Sequence, residues 1–271
     1  MKVAFQGERG AYSEEAVMLL FPDADVLPFR TLQEVFEATA TGRADRGVVP
    51  VENSQAGSIN ETYDLLLRHD LLITGEVDVR VQHCLLSLPG ETLESVEKVF
   101  SHPQALAQCE EFLRRLGVEM IPTYDTAGSA KMVASQKLRG CAAIASRRAA
   151  MLYGLQVLAS GIETNPDNYT KFLAVGREPA PYSQASKTSL VFATRNVPGA
   201  LYRALGAFAN RQINLTKLES RPSRRRPWEY IFYVDFEGHL QDPACRDALE
   251  ELKAHTTFLK ILGSYPKAPE P

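Results

Sequence analysis

Through the first two thirds of the chain, short apolar runs alternate with stretches whose apolar residues recur at helical spacing. That rhythm predicts an α/β architecture with largely parallel sheets. Residues 3–5 read as a strand followed by a helix from about Ser13, and residues 25–29 as a strand followed by a helix opening at Thr31. Residues 47–49 read as a strand followed by a helix opening at Ser58. Thr31 with Glu34, and Ser58 with Glu61, have capping-box spacing, in which each side chain satisfies the other's backbone N–H. Residues 71–88 hold one or two extended strands. The alternation resumes with strands at 96–100, 118–121 and 141–144, and with helices opening at Ser101, at about Thr126 and after Ile144. The extended run in the middle predicts two lobes joined by crossing strands, with a cleft between them and residues 173–175 returning to the first lobe.

A cluster of Pro179, Pro181, Ser183 and Ser186 within 176–187 marks a boundary, and the rhythm changes beyond it. A strand at 188–194 precedes a helix over 199–210 with Leu201, Leu205 and Phe208 on one face. Strands at 213–221 and 229–237 precede a helix over 242–253 that aligns Cys245, Leu249 and Leu252, and a strand at 258–262 closes the module. That order, βαββαβ, is a ferredoxin-like sandwich. The expected domains are 1–178, with lobe 1 at about 1–76 plus 170–178 and lobe 2 at about 77–169, and then 187–265. Residues 266–271 read as a frayed tail.

Length supports two domains, since 271 residues exceed what one hydrophobic core usually organises. The 30 Lys and Arg nearly balance the 33 Asp and Glu, which gives no support for a nucleic-acid or membrane partner. Arg221, Arg224, Arg225 and Arg226 form a local basic cluster, but the strand aromatics lack the RNP1 pattern, so it reads as a solvated loop. Apolar stretches are strand-length and interrupted, and residues 1–7 enter a strand and turn with no secretory h-region. Cys84, Cys109, Cys141 and Cys245 show neither a CxxC pair nor metal-ligand spacing, and the histidines lack an HExxH pattern. They read as the reduced thiols of a cytoplasmic protein without a metal site.

Five segments carry chemistry-bearing side chains at strand ends. Residues 161–176 lead a polar turn, Asn165-Pro166-Asp167-Asn168, into Thr170-Lys171-Phe172 and an apolar strand, setting a hydroxyl beside a fixed charge where an irregular segment enters a sheet. Gly7-Glu8-Arg9-Gly10-Ala11-Tyr12-Ser13 joins a strand to a helix whose first N–H groups can hold an anion, or is an ordinary turn capped by Ser13. Glu52-Asn53-Ser54-Gln55 lies between a strand end and a capped helix, where ligands of open α/β sheets gather. In Ser101-His102-Pro103-Gln104, Ser101 reads as an N-cap, Pro103 as a first-turn residue and Gln104 as completing a capping box. Gln108 follows one turn later on the polar face, and His102 reads as a general acid or, more commonly for a loop histidine, as locally hydrogen-bonded. Asp125 and Thr126 open a further helix, as caps or as the second lobe's contribution to the cleft.

Together these motifs resemble the prephenate dehydratase family over nearly the whole chain. The match runs through 7–13, Glu52-Asn53-Ser54, 101–104, Asp125-Thr126 and 168–172. It continues into a C-terminal module that resembles an ACT domain, where Asn196-Val197-Pro198-Gly199-Ala200-Leu201 and Glu219-Ser220-Arg221-Pro222 look like phenylalanine-binding signatures. Bifunctional members carry an N-terminal chorismate mutase bundle, and a chain opening directly on a strand is expected to have no room for one. The two-lobed domain also resembles type II periplasmic binding proteins, which makes a non-catalytic amino-acid sensor one rival reading and arogenate dehydratase another.

The resemblance implies conversion of prephenate to phenylpyruvate, carbon dioxide and water without metal or organic cofactor. It implies Thr170 as the catalytic residue. Substrate contacts would come from Ala11, Tyr12, Ser13, Glu52, Asn53, Ser54, Ser101, Gln108, Asp125, Thr126, Asn168, Lys171 and Phe172. Lys171 would anchor a carboxylate with Ser13 and backbone donors, and Phe172 would be an apolar wall or the first core residue of its strand. The family usually has arginine at position 171, and lysine keeps the charge while losing the planar fork. Asn196, Pro198, Gly199, Ala200, Leu201, Glu219, Ser220, Arg221 and Pro222 would bind the effector L-phenylalanine at an interface of a homodimer or homotetramer.

Overall fold

The computed structural model describes residues 1–223 and 229–269. The first sheet contains β1 (Lys2–Gln6), β2 (Asp25–Phe29), β3 (Arg46–Asn53) and the two-residue β4 (Gly57–Ser58). Helices α1 (Tyr12–Leu20), α2 (Leu32–Ala40) and α3 (Asn60–Arg68) follow β1, β2 and β4 in turn, and β5 (Leu72–Arg80) joins the same sheet. β1 pairs in parallel with both β2 and β3. Burial alternates into the polar end of β3, so Glu52 and Asn53 belong to the strand rather than to a loop, and β4 folds back to pair with them.

The second sheet is built from β6 (Cys84–Ser87), β7 (Lys98–Ser101), β8 (Glu119–Pro122), β9 (Cys141–Ala145) and β10 (Gln156–Ser160). Helices α4 (Pro103–Gln108), α5 (Glu110–Leu116), α6 (Thr126–Ser135) and α7 (Arg147–Tyr153) connect them. The expectation of largely parallel sheets fails here. β7 is parallel to β8 and β9, but β6 is antiparallel to both β9 and β10. The chain then forms β11 (Tyr169–Gly176), which takes its place in the first sheet in the order β2-β1-β3-β11-β5.

The last module contains β12 (Ser186–Ala193), α8 (Ala200–Ala209), β13 (Leu215–Pro222), β14 (Tyr230–Glu237), α9 (Pro243–Ala254) and β15 (Phe258–Pro266). Its sheet order, β13-β14-β12-β15, is the ferredoxin-like arrangement expected from βαββαβ. Phe192, Phe208, Phe236 and Leu252 are fully buried between sheet and helices, and Leu201, Leu205 and Leu249 pack against them.

Local chemistry explains where helices start. Thr31 and Glu34 form the expected capping box. Ser58 is not at the N-cap position, because it lies in β4 and α3 begins two residues later, after Ile59. Ser101 is likewise not an N-cap. It ends β7, and its hydroxyl donates to the carbonyl of Ile144 at 2.7 Å, while His102 caps α4 with Pro103 in the first turn. The expected frayed tail is tied down through Ala268: Lys267 N–H donates to Ala185 O, and Ala268 N–H donates to Glu76. Arg224, Arg225 and Arg226 lie outside the described residues.

Contacts divide the chain into two compact units, one formed by Met1–Thr62 and Val77–Phe172, the other by Tyr63–Glu76 and the residues from Leu173 onward. Within the second, the Lys187 ammonium lies 2.7 Å from Glu76 with both side chains almost fully buried, and Ala268 N–H fills a further Glu76 lone pair. Lys260 donates to the carbonyls of Leu66, Leu67 and His69 at the end of α3. Removing one member of a buried ion pair strands the other. Lys187→Met is therefore expected to lower unfolding free energy by about 3–5 kcal/mol in denaturant titrations, and Glu76→Leu/Lys187→Met to recover most of that loss.

Candidate active site

Within the first unit, the turn into α1, the end of β3, the starts of α4 and α6 and Thr170 of β11 surround a cavity of about 430 Å³. The arrangement begins at Asn53, a residue 7% exposed. Its Oδ1 accepts from the backbone N–H groups of Gln55 (3.1 Å) and Ala56 (2.9 Å). A backbone N–H can only donate, so these bonds fix which end of the amide is oxygen. Nδ2 therefore donates in the other direction, to Asn168 Oδ1 at 2.8 Å, to the Tyr169 carbonyl at 3.1 Å and to Thr170 Oγ1 at 3.0 Å.

The polarity propagates from there. Asn168 is fully buried and shows its oxygen to Asn53, so its Nδ2 donates to Gln108 Oε1 at 3.1 Å. The same Gln108 oxygen lies 2.9 Å from His83 Nε2, which must then carry the proton. Thr170 Oγ1 is an acceptor in this chain. Its own proton has no acceptor among the described residues and is available to whatever occupies the cavity.

The other wall is the first turn of α1, where the N–H groups of Tyr12 and Ser13 precede the helix's internal bonding. The turn before it is locked from outside the cavity. Gly10 N–H donates to Glu14 at 2.6 Å, Arg148 reaches Glu14 at 3.1 Å, and Ser146 donates to the Gly10 carbonyl at 2.7 Å. Burial pushes the Glu14 carboxyl up, but the Arg148 and Gly10 hydrogen bonds outweigh it and hold it below the usual range. Gly10 has φ of +89°, and a Cβ there would lie 2.9 Å from the Ala149 backbone, so only glycine fits.

Ala11, Tyr12, Ser13, Asn53, Gln108, Asp125, Thr126 and Thr170 all line the cavity. Asp125 lines it with a carboxylate already engaged: Oδ1 accepts from Gly128 N–H at 3.1 Å as the cap of α6, and Oδ2 from Glu8 N–H at 3.0 Å. The expectation that it is a cap is met, and it also clamps the turn into α1. Asn168 acts from behind the wall. Ser54 accepts from Tyr169 N–H and donates to the Asp167 carbonyl, pinning the polar turn that precedes β11.

Several expected contacts are not brought to the cavity. Ser101 is buried with its hydroxyl committed to β9, and Phe172, 2% exposed, is a core residue of β11. Lys171 is not among the lining residues, because its ammonium pairs with Asp78 at 2.9 Å. β11 begins at Tyr169, so Thr170 and Lys171 are its second and third residues, at the strand entrance where they were expected. Glu52 also lies outside the lining. His102 lines the cavity while its Nδ1 accepts from Gln104 N–H, the local role expected of a loop histidine. Among the described residues, no three His, Cys, Asp or Glu side chains converge as a metal-ligand set.

The sequence reading missed His83, 2% exposed, in the break between β5 and β6. Burial lowers the pKa of its imidazole below the usual value despite the Gln108 hydrogen bond and the nearby Glu163 charge. The only signal was Gln82-His83 interrupting an apolar extended run.

In the second unit, Gly199 caps α8 with φ of +75° and leaves the helix start without a side-chain cap, next to Ala200 and Leu201. Residues 219–222 finish β13 as expected, but side chains alternate across it. Arg221 is buried, pairs with Asp64 at 3.2 Å and lies over the Tyr63 and Tyr233 rings, whereas Ser220 and Pro222 are exposed on the other face. Asn196 lies in the loop between β12 and α8, with Pro198 accepting from Arg203.

Comparison with known proteins gives the family. The prephenate dehydratase family model matches residues 3–180, and the ACT domain model matches residues 188–254. The chain belongs to the prephenate dehydratase family. A curated relative, arogenate dehydratase/prephenate dehydratase 2, chloroplastic, from Arabidopsis thaliana, is 47% identical over 98% of this chain and 73% of its own length. The solved prephenate dehydratase from Arthrobacter aurescens, in complex with L-Phe, is 32% identical with a TM-score of 0.90 over 98% of this chain and 90% of that one. GqqA, described as a novel type of quorum quenching acylase, is 38% identical with a TM-score of 0.92 over 99% of both chains. Membership of a dehydratase family makes the chain a lyase-type enzyme, and no helix among the described residues is long and apolar enough to cross a membrane.

The clamp made by Asp125 gives a prediction. Asp125→Ala removes the α6 cap and the bond to Glu8 N–H, and is expected to cost about 1–2 kcal/mol of stability by chemical denaturation. Asp125→Asn, which keeps an acceptor for Gly128 N–H, should lose less. Wild-type stability of the alanine variant would contradict the clamp.

Proposed function

We propose that the cavity converts prephenate to phenylpyruvate, carbon dioxide and water. The observation that carries this reading is the direction of the bond into Thr170: Asn53 donates to Oγ1, leaving the threonine proton for a leaving group. As the bond from the ring to its carboxylate breaks, the electron pair moves through the diene and expels hydroxide from the opposite ring carbon, and the ring becomes aromatic. Departing hydroxide is basic enough to take a hydrogen bond or proton from a threonine, a donor too weak for most leaving groups. The Asn53 Nδ2–H then stabilises negative charge growing on Oγ1.

Among the described residues, the lining includes neither Lys nor Arg. The carboxylate that stays on the product is assigned to the N–H groups of Tyr12 and Ser13, the Ser13 and Thr126 hydroxyls and the Gln108 amide, whose Nε2 the polar chain leaves unused. The departing carboxylate is favoured by a site that does not pair it with a cation, because losing its charge then costs less solvation. The Lys171–Asp78 pair supports a role for Lys171 in holding β11 in place.

Arogenate is the second substrate reading, favoured by the names of the curated relatives. An acylase reading would need a nucleophile with a base beside it, and Thr170 has an amide donor there instead. In the ACT module, the uncapped start of α8 at Gly199 suits an amino-acid carboxylate, and we assign inhibition by L-phenylalanine in a homo-oligomer to this region, supported by the L-Phe complex of the bacterial relative.

The test is turnover of prephenate and of arogenate by the purified chain, following phenylpyruvate and phenylalanine. Thr170→Ala is expected to lose at least about 100-fold in kcat, and near-normal turnover would sink the assignment. Asn53→Asp keeps the acceptor for Gln55 and Ala56 but turns a carboxylate oxygen toward Thr170, so the hydroxyl donates away from the substrate and kcat falls comparably. Lys171→Arg should retain turnover. Added L-phenylalanine should raise the Tm as well as inhibit, since a ligand of the native state stabilises it.

A further inference from the structure

His83 has no part in the reaction as described, yet it ends the polar chain that begins at the Gln55 and Ala56 N–H groups. Its main chain is fixed on both sides. The N–H donates to Glu163 at 2.9 Å, and the carbonyl accepts from Gly161 at 2.9 Å and from Ile162 at 3.3 Å. The imidazole is buried, and Tyr12 packs edge-on against it with ring centroids 5.8 Å apart. Both Tyr12 and His83 line the cavity.

The fixed direction of the three amides determines the tautomer. Gln108 can present only oxygen to His83, because Asn168 donates to that oxygen and is itself oriented by Asn53. Nε2 must therefore donate. Nδ1 is left as a lone pair 3.2 Å from the Tyr12 oxygen, whose single proton donates to the Gln82 carbonyl at 2.7 Å, so the Tyr12 contact does not orient the ring and the tautomer is set from the Gln108 side. Gln108 is half-buried, and one of the two bonds holding its oxygen inward comes from His83. Without that bond the amide can rotate about its terminal torsion, and Nε2 no longer faces the cavity.

We propose that His83, as the neutral Nε2–H tautomer, is a positioning residue that holds Gln108 so that its amide N–H groups address the substrate. The proposal rests on the dehydratase reading and assigns a residue outside the family motifs to it. Burial that disfavours the imidazolium supports the neutral form at neutral pH.

The test combines kinetics with spectroscopy. His83→Gln carries an amide nitrogen to about the reach of Nε2, whereas His83→Asn offers one only at the position of Nδ1. His83→Gln is expected to stay within about threefold of wild-type kcat/KM, while His83→Asn and His83→Leu lose about tenfold or more, the scale of one hydrogen bond. Equal impairment of the glutamine and leucine variants would overturn the proposal in favour of a space-filling role, as would a leucine variant with wild-type kinetics. Imidazole ¹⁵N shifts of the wild-type chain provide a readout that needs no variant to fold. The Nε2–H tautomer is expected, and the Nδ1–H tautomer overturns the proposal. If the wild-type chain turns over neither prephenate nor arogenate, the dehydratase reading fails, and the tautomer result then decides the His83–Gln108 contact independently.

Discussion

The Asn53 amide has opposite obligations at its two ends, and the candidate site depends on how they are met. Two backbone N–H groups claim the oxygen, and a backbone carbonyl with two side-chain oxygens claims the nitrogen. Neither set can be exchanged without placing donor against donor in a buried place, which costs far more than a hydrogen bond contributes. The direction imposed at Asn53 therefore reaches a hydroxyl on β11 and, through two further amides, an imidazole between β5 and β6. A neutral network of this kind sets proton positions without any charged residue.

The supporting structure keeps that amide in place. β3 continues through Asn53 because β4 turns back to pair with it, and the tight turn between them aims the Gln55 and Ala56 N–H groups at Oδ1. Ser54 ties the polar turn before β11 to the same segment. On the opposite wall, Glu14, Arg148 and Asp125 hold the glycine turn, so the free N–H groups of α1 stay where they are. Glu14 and Arg148 thus brace the cavity from outside, and among the described lining residues Asp125 is the one carboxylate, already engaged.

Much of this was legible in the sequence, for reasons specific to each element. Capping at Thr31 and the βαββαβ order follow from local spacing, so they could be read directly. Asn53, Gln108 and Thr170 stood out as polar residues at strand ends and on a helix face. The failures came from partners far away in sequence. Ser58 and Ser101 carry good local capping signals, but Ser58 is drawn into β4 ahead of the helix and the Ser101 hydroxyl donates to the Ile144 carbonyl. Lys171 read as a free cation because Asp78, 93 residues away, could not be foreseen as its partner. His83 gave almost no signal, since its meaning depends on an amide chain assembled from three separate elements.

A cavity lined, among the described residues, without Lys or Arg has a consequence for the encounter with substrate. A pocket that holds carboxylates with dipoles has a short-ranged field, and the chain as a whole carries a small net negative charge of −3. Long-range attraction therefore contributes little to capture of an anionic substrate. Association should proceed at an ordinary diffusional rate and vary little with ionic strength, and discrimination should arise after contact, when the anion exchanges its water for oriented N–H groups.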